Sequence, residues 1–134
     1  MKRSRLGLTA FFLVCLVTGL AGPALGCRCT EPSTGVAYKR ADAVARVHVL
    51  SGATETADHA FATRVQVTKS WKRTLPEEIT VITGEDCAYP LAAGKEYILF
   101  LSGDGTTYGT YLCRGNRGIS EAKPVWEWLD KNTK

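Results

Sequence analysis

The chain has 134 residues, of which 45% are hydrophobic and 22% charged, a composition typical of a globular protein and not of a disordered or collagen-like one. The first 26 residues hold three of the 17 basic side chains and no acidic one, so residues 27–134 carry 14 basic and 13 acidic side chains. This nearly neutral balance argues against a nucleic-acid-binding protein, which needs a clustered basic face. The length allows one domain preceded by a targeting segment.

The chain begins with the pattern of an export signal. A short basic start is followed by residues 6–20, which are uncharged and mostly apolar. Ala24 and Gly26 then place small side chains three residues and one residue before Cys27, as signal peptidase requires. We therefore predict a signal peptide over residues 1–26 and an exported domain over residues 27–134. The rival interpretation is a transmembrane anchor, for which the apolar core of the segment is short.

Cys27 also allows a lipoprotein signal. The sequence Ala24-Leu25-Gly26-Cys27 places a cysteine where such a signal would be processed and acylated. Acylation would block the amino group of Cys27 and anchor the protein to a membrane, whereas ordinary cleavage would leave that group free. The expected location is therefore secreted or periplasmic, with a membrane-anchored lipoprotein as the alternative.

The sequence of the exported domain predicts mainly short strands. Residues 44–50 alternate between apolar and polar side chains, which is typical of a strand with one buried face, and residues 97–101 form a continuous apolar run, which indicates a buried strand. The predicted strands are residues 44–50, 60–71, 79–83, 97–101 and 107–113. Short helices are predicted within residues 34–43 and after Ser120, which we expect to act as the N-cap of the last helix. Five short strands with flanking helices predict a small OB-fold-like barrel.

The cysteines indicate two disulfides. Of the five cysteines, Cys15 leaves with the signal, and the remaining four form an even set in an oxidising compartment. A bond between Cys27 and Cys29 would close a very small, strained ring, so two pairings with Cys87 and Cys113 remain open. A four-cysteine zinc site would need paired C-x₂-C knuckles, which are absent from the sequence.

The sequence contains no recognisable catalytic motif. His48 lies on the polar face of a predicted strand, His59 lies in a hydrophilic loop, and Glu77-Glu78 follows a proline at the start of a strand. Each position is ordinary for a solvated side chain. Trp71, Trp126 and Trp128 could stack on a ligand, but packing against the barrel is the simpler interpretation. We therefore expect a protein that is not an enzyme, with no catalytic residues and no cofactor of its own.

The cysteine pattern resembles a known family. The start of the predicted mature chain, Cys27-Arg28-Cys29-Thr30-Glu31-Pro32, is similar to the C-x-C-x-x-P opening of the tissue inhibitors of metalloproteinases and related netrin-like domains. The similarity continues through Lys69-Ser70-Trp71-Lys72, Cys87-Ala88-Tyr89, residues 94–100 and Leu112-Cys113. It is greatest to small single-domain bacterial members. The resemblance implies an OB-fold-like barrel with disulfides Cys27–Cys87 and Cys29–Cys113.

The resemblance also implies an inhibitory mechanism. In such inhibitors the amino group and carbonyl oxygen of the first cysteine bind the catalytic zinc of the protease, so Cys27 would contact a metal only in trans, and Arg28 would enter the adjacent pocket. Arg28 departs from the family pattern, because the animal proteases that the family inhibits mostly have apolar pockets. The residues expected to bind a protease are Cys27, Arg28, Cys29, Thr30, Glu31, Glu85, Asp86, Cys87 and Ala88.

Other functions are compatible with the same cysteines. Netrin-like domains that do not inhibit proteases carry the same bridges, so the main alternative is a secreted protein-binding module in the envelope or extracellular space. Vertebrate inhibitors have a further cysteine shortly after the position of Tyr38, where this chain has Lys39. A nucleic-acid or oligosaccharide binder is a weaker hypothesis, because it rests on the fold alone. We expect a monomer whose partner is a zinc metalloprotease, with no contact to nucleic acid, and none to a membrane unless Cys27 is lipidated.

Overall fold

A computed structural model describes residues 27–84 and 86–134 of the chain. The predicted signal peptide and Glu85 lie outside these residues. Seven strands and two α-helices make up most of the described domain. The strands are β1 (Ala43–Val49), β2 (Thr54–Glu55), β3 (Phe61–Lys72), β4 (Glu78–Thr83), β5 (Glu96–Asp104), β6 (Thr107–Thr110) and β7 (Arg117–Gly118). The helices are α1 (Thr34–Arg40) and α2 (Lys123–Asn132), with 3₁₀ turns at Leu112–Arg114 and Ile119–Glu121.

Five of the strands close into a barrel. Their order is β1-β3-β4-β6-β5, and β5 returns to pair with β1, which completes the ring. All pairings in the ring are antiparallel except that of β4 with β6, which is parallel. The predicted mainly β fold, a five-stranded OB-fold-like barrel with short flanking helices and two disulfides, is confirmed.

The barrel interior is filled by alternate residues of its strands. On β1 the side chains of Ala45, Val47 and Val49 are fully buried, whereas Arg46 and His48 on the opposite face are half-buried. Leu99 and Leu101 of β5 enter the same interior. Because β1 pairs with both β3 and β5, its inward residues lie near the centre of the barrel. The alternation predicted for this strand is confirmed.

A second apolar layer covers one outer face of the barrel. Ile98 and Phe100 of β5 point away from the barrel interior and pack against Ala37 of α1 and against Val125 and Leu129 of α2. This arrangement explains the continuous apolar run in β5, because one face fills the barrel and the other contacts the helices. The three tryptophans pack against this second layer and are half-buried, as expected for structural side chains: Trp71, Trp126 and Trp128.

The start of α2 differs from the expectation, whereas α1 lies within the predicted residues 34–43. The N-cap position of α2 is occupied by Ala122, which makes no side-chain capping bond, whereas Ser120 lies in the preceding 3₁₀ turn. The prediction that Ser120 caps this helix is therefore wrong.

Helix α1 ends at Arg40, where the ammonium of Lys72 on β3 donates hydrogen bonds to the carbonyl oxygens of Tyr38 at 2.8 Å and Ala41 at 2.5 Å. A cation at this end of a helix satisfies carbonyls that have no partner inside the helix.

The strand predicted over residues 107–113 is shorter than expected. Strand β6 ends at Thr110, and Cys113 lies in the 3₁₀ turn that follows. The buried side chain of Asn116 provides the reason, because its amide nitrogen donates to Tyr111 O at 3.0 Å and to Thr110 Oγ1 at 2.8 Å. These bonds turn the chain away from the sheet immediately after Thr110.

Candidate functional site

Two disulfides fasten the N-terminal end of the described domain to two separate loops. Cys27 bonds to Cys87 with a Cα–Cα distance of 5.6 Å, and Cys29 bonds to Cys113 with a distance of 5.9 Å. The pairing that the family resemblance implied is therefore confirmed. The bridges close chain separations of 60 and 84 residues, for which the chain-entropy model gives about 4 kcal/mol each. Bonds of this kind indicate an oxidising, extracytoplasmic compartment.

The N-terminal segment, residues 27–31, is largely exposed to solvent. Arg28, Thr30 and Glu31 are exposed, and the residues from Cys27 to the start of α1 form no regular secondary structure. A carboxylate oxygen of Glu31 accepts a hydrogen bond from Arg117 Nη1 at 3.2 Å, which ties the segment to β7. Arg28 therefore lies on a short exposed strip of chain that is fixed at several points.

The loop that follows β4 provides a second element beside this segment. The backbone oxygen of Asp86 lies 3.2 Å from Cys27 Sγ, and Cys87 carries the bridge. Asp86 is exposed, whereas Cys87 and Ala88 are half-buried. The backbone N–H of Leu112 donates to Cys87 O at 2.9 Å, so this loop is also joined to the 3₁₀ turn that contains Cys113.

The predicted binding residues therefore meet on one surface, which we call the cysteine-bridged edge. It consists of residues 27–31, residues 86–88 and residues 111–113, connected by the two disulfides and the bond from Leu112 to Cys87. Eight of the nine residues expected to bind a protease lie on it; the ninth, Glu85, is outside the described residues.

The edge includes two exposed apolar side chains that sequence reasoning missed. Tyr111 is 44% exposed and Leu112 is 37% exposed, and both precede the bridged Cys113. The guanidinium carbon of Arg114 lies 5.2 Å from the centre of the Tyr111 ring, in a cation–π arrangement. A strand over these residues would have buried one of the two apolar side chains. The adjacent cysteine is the only signal in the sequence that could have marked them.

Asn116 connects this edge to the barrel. Its side-chain oxygen accepts a hydrogen bond from Phe100 N of β5 at 2.8 Å, and its amide nitrogen donates to Thr110 Oγ1 and Tyr111 O. Thr110 Oγ1 in turn donates to Phe100 O at 3.0 Å. The turn that carries Cys113 is thus attached to β5 at Phe100, where a side chain takes the place of a neighbouring strand.

Tyr89 follows the bridged Cys87 by two positions and packs against the barrel core. Burial, followed by the charge of the neighbouring Tyr97, raises the pKa of Tyr89, and Glu31 adds to this effect. The two tyrosine rings pack edge to face with their centres 5.9 Å apart. The phenol therefore stays neutral at physiological pH, and its ring packs against the barrel core.

Neither a metal cluster nor a membrane-spanning helix has a candidate among the described residues. Over residues 27–84 and 86–134, no group of three or more His, Cys, Asp or Glu side chains is placed to hold a metal ion. Within the same part of the chain, no helix has the length and apolar character needed to cross a bilayer. His59 lies in an exposed turn, where its Nδ1 is 2.9 Å from Glu55, and Glu78 forms an ion pair with Arg64.

Comparison with known proteins does not assign the chain to a family. No family model matches it, and no curated protein matches it.

Proposed function

We propose that this chain is an exported netrin-like inhibitor of zinc metalloproteases that acts through the cysteine-bridged edge. The observation that carries the proposal is the exposed stretch around Arg28, which is fastened by disulfides at Cys27 and Cys29. A segment held in this way loses little conformational entropy when it enters a protease cleft. The fold and the disulfide pairing both agree with the family that the sequence resembles.

The proposed chemistry uses the main chain of Cys27. After cleavage before Cys27, its neutral α-amino group and its carbonyl oxygen would bind the protease zinc and displace the water that the metal activates. An α-amino group titrates near pH 8, so zinc binding near neutral pH requires that its proton be released. The mechanism therefore needs a secreted or periplasmic protein with a free Cys27, and it would be blocked in a lipoprotein.

Arg28 would determine which proteases are inhibited. Its exposed side chain follows directly after the zinc-binding residue, so it would enter the pocket next to the metal. A guanidinium is costly to bury in an apolar pocket without a partner. Proteases with an acidic or polar pocket are therefore the expected targets, and those with a purely apolar pocket should bind weakly.

The test is titration of the mature protein against zinc endopeptidases with acidic, polar and apolar pockets. Intact mass must first show residues 27–134 with two disulfides and an unmodified amino group. One alanine added before Cys27 should abolish inhibition, since it displaces the amino group while both bridges remain. Arg28→Ala should weaken inhibition of acidic-pocket enzymes at least about tenfold, or 1.4 kcal/mol. Lys131→Ala, at an exposed position of α2, is the matched control and should change nothing.

A non-inhibitory binding module is the second candidate. The exposed Tyr111 and Leu112 favour it, because an apolar contact next to the bridges would serve a protein partner with or without zinc. If the mature protein with a free Cys27 inhibits no enzyme of the panel at micromolar concentration, the inhibitory proposal fails and this candidate replaces it.

A further inference from the structure

An apolar groove lies between the β2–β3 hairpin and the chain that follows Cys87. Its volume is about 330 Å³, at the lower end of the range of about 300–1,000 Å³ found for ligand pockets. This size suits one large apolar side chain better than an extended ligand. None of its lining residues is charged. The lining includes Ala53, Phe61, Thr63, Ala88, Tyr89 and Leu91.

The two stretches of chain that build the groove carry a negative net charge. Residues 47–63 and 74–94 contain every lining residue and six acidic side chains, but no lysine or arginine. Lysine and arginine are frequent elsewhere in the domain, so these two stretches differ in charge from the rest of the chain. Lys95 is the first basic residue after the groove, and it follows the end of the lining at Ala92.

Three of these acids lie where they can face a docked segment. Glu55 pairs directly with Phe61 across the hairpin, so its side chain lies on the same face of the sheet as this lining residue. Asp58 lies in the turn of the hairpin, and Asp86 precedes the lining residue Ala88 by two positions. All three acids are exposed. A carboxylate oxygen of Glu55 lies 2.9 Å from Nδ1 of His59, the ionisable neighbour of this acid in the hairpin.

We propose that this groove binds a segment of a partner protein that inserts one large apolar side chain and carries lysine or arginine on either side of it. The apolar lining selects the inserted side chain, and the acidic residues select the basic flanks. The groove begins at Ala88, so it continues the cysteine-bridged edge, and one partner can contact both. This contact does not use the amino group of Cys27, and it therefore goes beyond zinc binding.

The test uses three capped peptides and the isotope-labelled, disulfide-bonded mature protein. The first peptide has a central phenylalanine between two lysines on each side, the second replaces the lysines by glutamates, and the third replaces the phenylalanine by glycine. Amide chemical shifts locate the binding site, and their concentration dependence gives the affinity. We expect the first peptide to shift the amides of Phe61, Thr63, Ala88 and Leu91. It should bind about three- to tenfold more tightly than the glutamate peptide, and its affinity should fall as salt is added.

Two pairs of variants separate the groove from its charges. Ala53→Trp fills the groove from an exposed position and should lower the affinity at least about fivefold, whereas Ala57→Trp adds the same side chain to the same hairpin outside the lining and should not. The double variant Glu55→Lys/Asp58→Lys should reverse the preference between the two phenylalanine peptides. The matched control, Asp104→Lys at the end of β5, should leave the preference unchanged.

Equal binding of the lysine and glutamate peptides would overturn the proposal, as would equal binding of the glycine peptide or shifts confined to other surfaces. The peptide titration is repeated with one alanine added before Cys27. Unchanged peptide binding in that variant supports the groove as an independent site, and loss of binding contradicts it. Failure of peptide binding is thereby distinguished from failure of protease inhibition.

Discussion

Asn116 offers the sharpest test of how the barrel supports the cysteine-bridged edge. Its side chain is 2% exposed and makes three hydrogen bonds, one from Phe100 N and two to Thr110 Oγ1 and Tyr111 O. Asn116→Ala removes all three and leaves the N–H of a buried central strand without its partner. An orphaned buried group costs about 1–3 kcal/mol, and each further net hydrogen bond contributes about 1 kcal/mol. With two further bonds lost, the expected loss of unfolding free energy is therefore about 3–5 kcal/mol.

Urea unfolding with the disulfides intact measures this loss as a lower midpoint at an unchanged slope. The matched control is Asn132→Ala, which removes an amide that donates to Trp128 O at 2.7 Å on the exposed end of α2. That change should cost no more than about 0.5 kcal/mol. Amide hydrogen exchange should also become faster at residues 111–114 in Asn116→Ala. If the two alanine variants lose the same free energy and exchange is unchanged, the reasoning about Asn116 is refuted.

Two further changes test charge and packing. A hydrogen bond from Lys69 lowers the pKa of the exposed Asp130, so Asp130 stabilises the fold near neutral pH and this stabilisation is lost as pH falls through the lowered pKa. Asp130→Asn should therefore be less stable than the parent at pH 7 in urea unfolding and equally stable in strong acid; a constant difference would contradict this. Gly115 has φ 97°, and a Cβ there would lie 2.8 Å from Ala37 Cβ. Gly115→Ala should lower the thermal midpoint, whereas Gly52→Ala, with open space around it, should not.

Much of the fold could be predicted because local patterns and tertiary packing agree. The side chains of β1 alternate because Arg46 and His48 on its outer side are partly exposed to solvent. The apolar run in β5 is continuous because helices cover the outer side of that strand. The end of β6 could not be predicted in this way. It depends on Asn116, a residue outside the strand whose side chain takes the place of a sheet partner at Tyr111. Periodicity contains no information about such a bond.

The candidate site was less accessible to residue-level reasoning. Counting cysteines left two disulfide pairings open, and the resemblance to netrin-like domains favoured the one that is present. The groove joins two separate stretches of the chain, residues 47–63 and 74–94, and neither stretch predicts a groove on its own. The sequence shows that both stretches contain acidic residues and no lysine or arginine. Only the pairing of Glu55 with Phe61 in the hairpin places one of these acids beside the groove.

The turn at residues 111–116 is the element through which the edge and the barrel are coupled. Cys113 holds the N-terminal segment, Leu112 N holds the loop that carries Cys87, and Asn116 holds the turn itself to β5. The two disulfides therefore do not hold the segment independently of the turn. The Cys29–Cys113 disulfide is only as rigid as the turn that contains Cys113. A change at Asn116 should loosen the segment around Arg28 even with both bridges intact. Rigidity at an exposed edge thus depends on a side chain buried at its base.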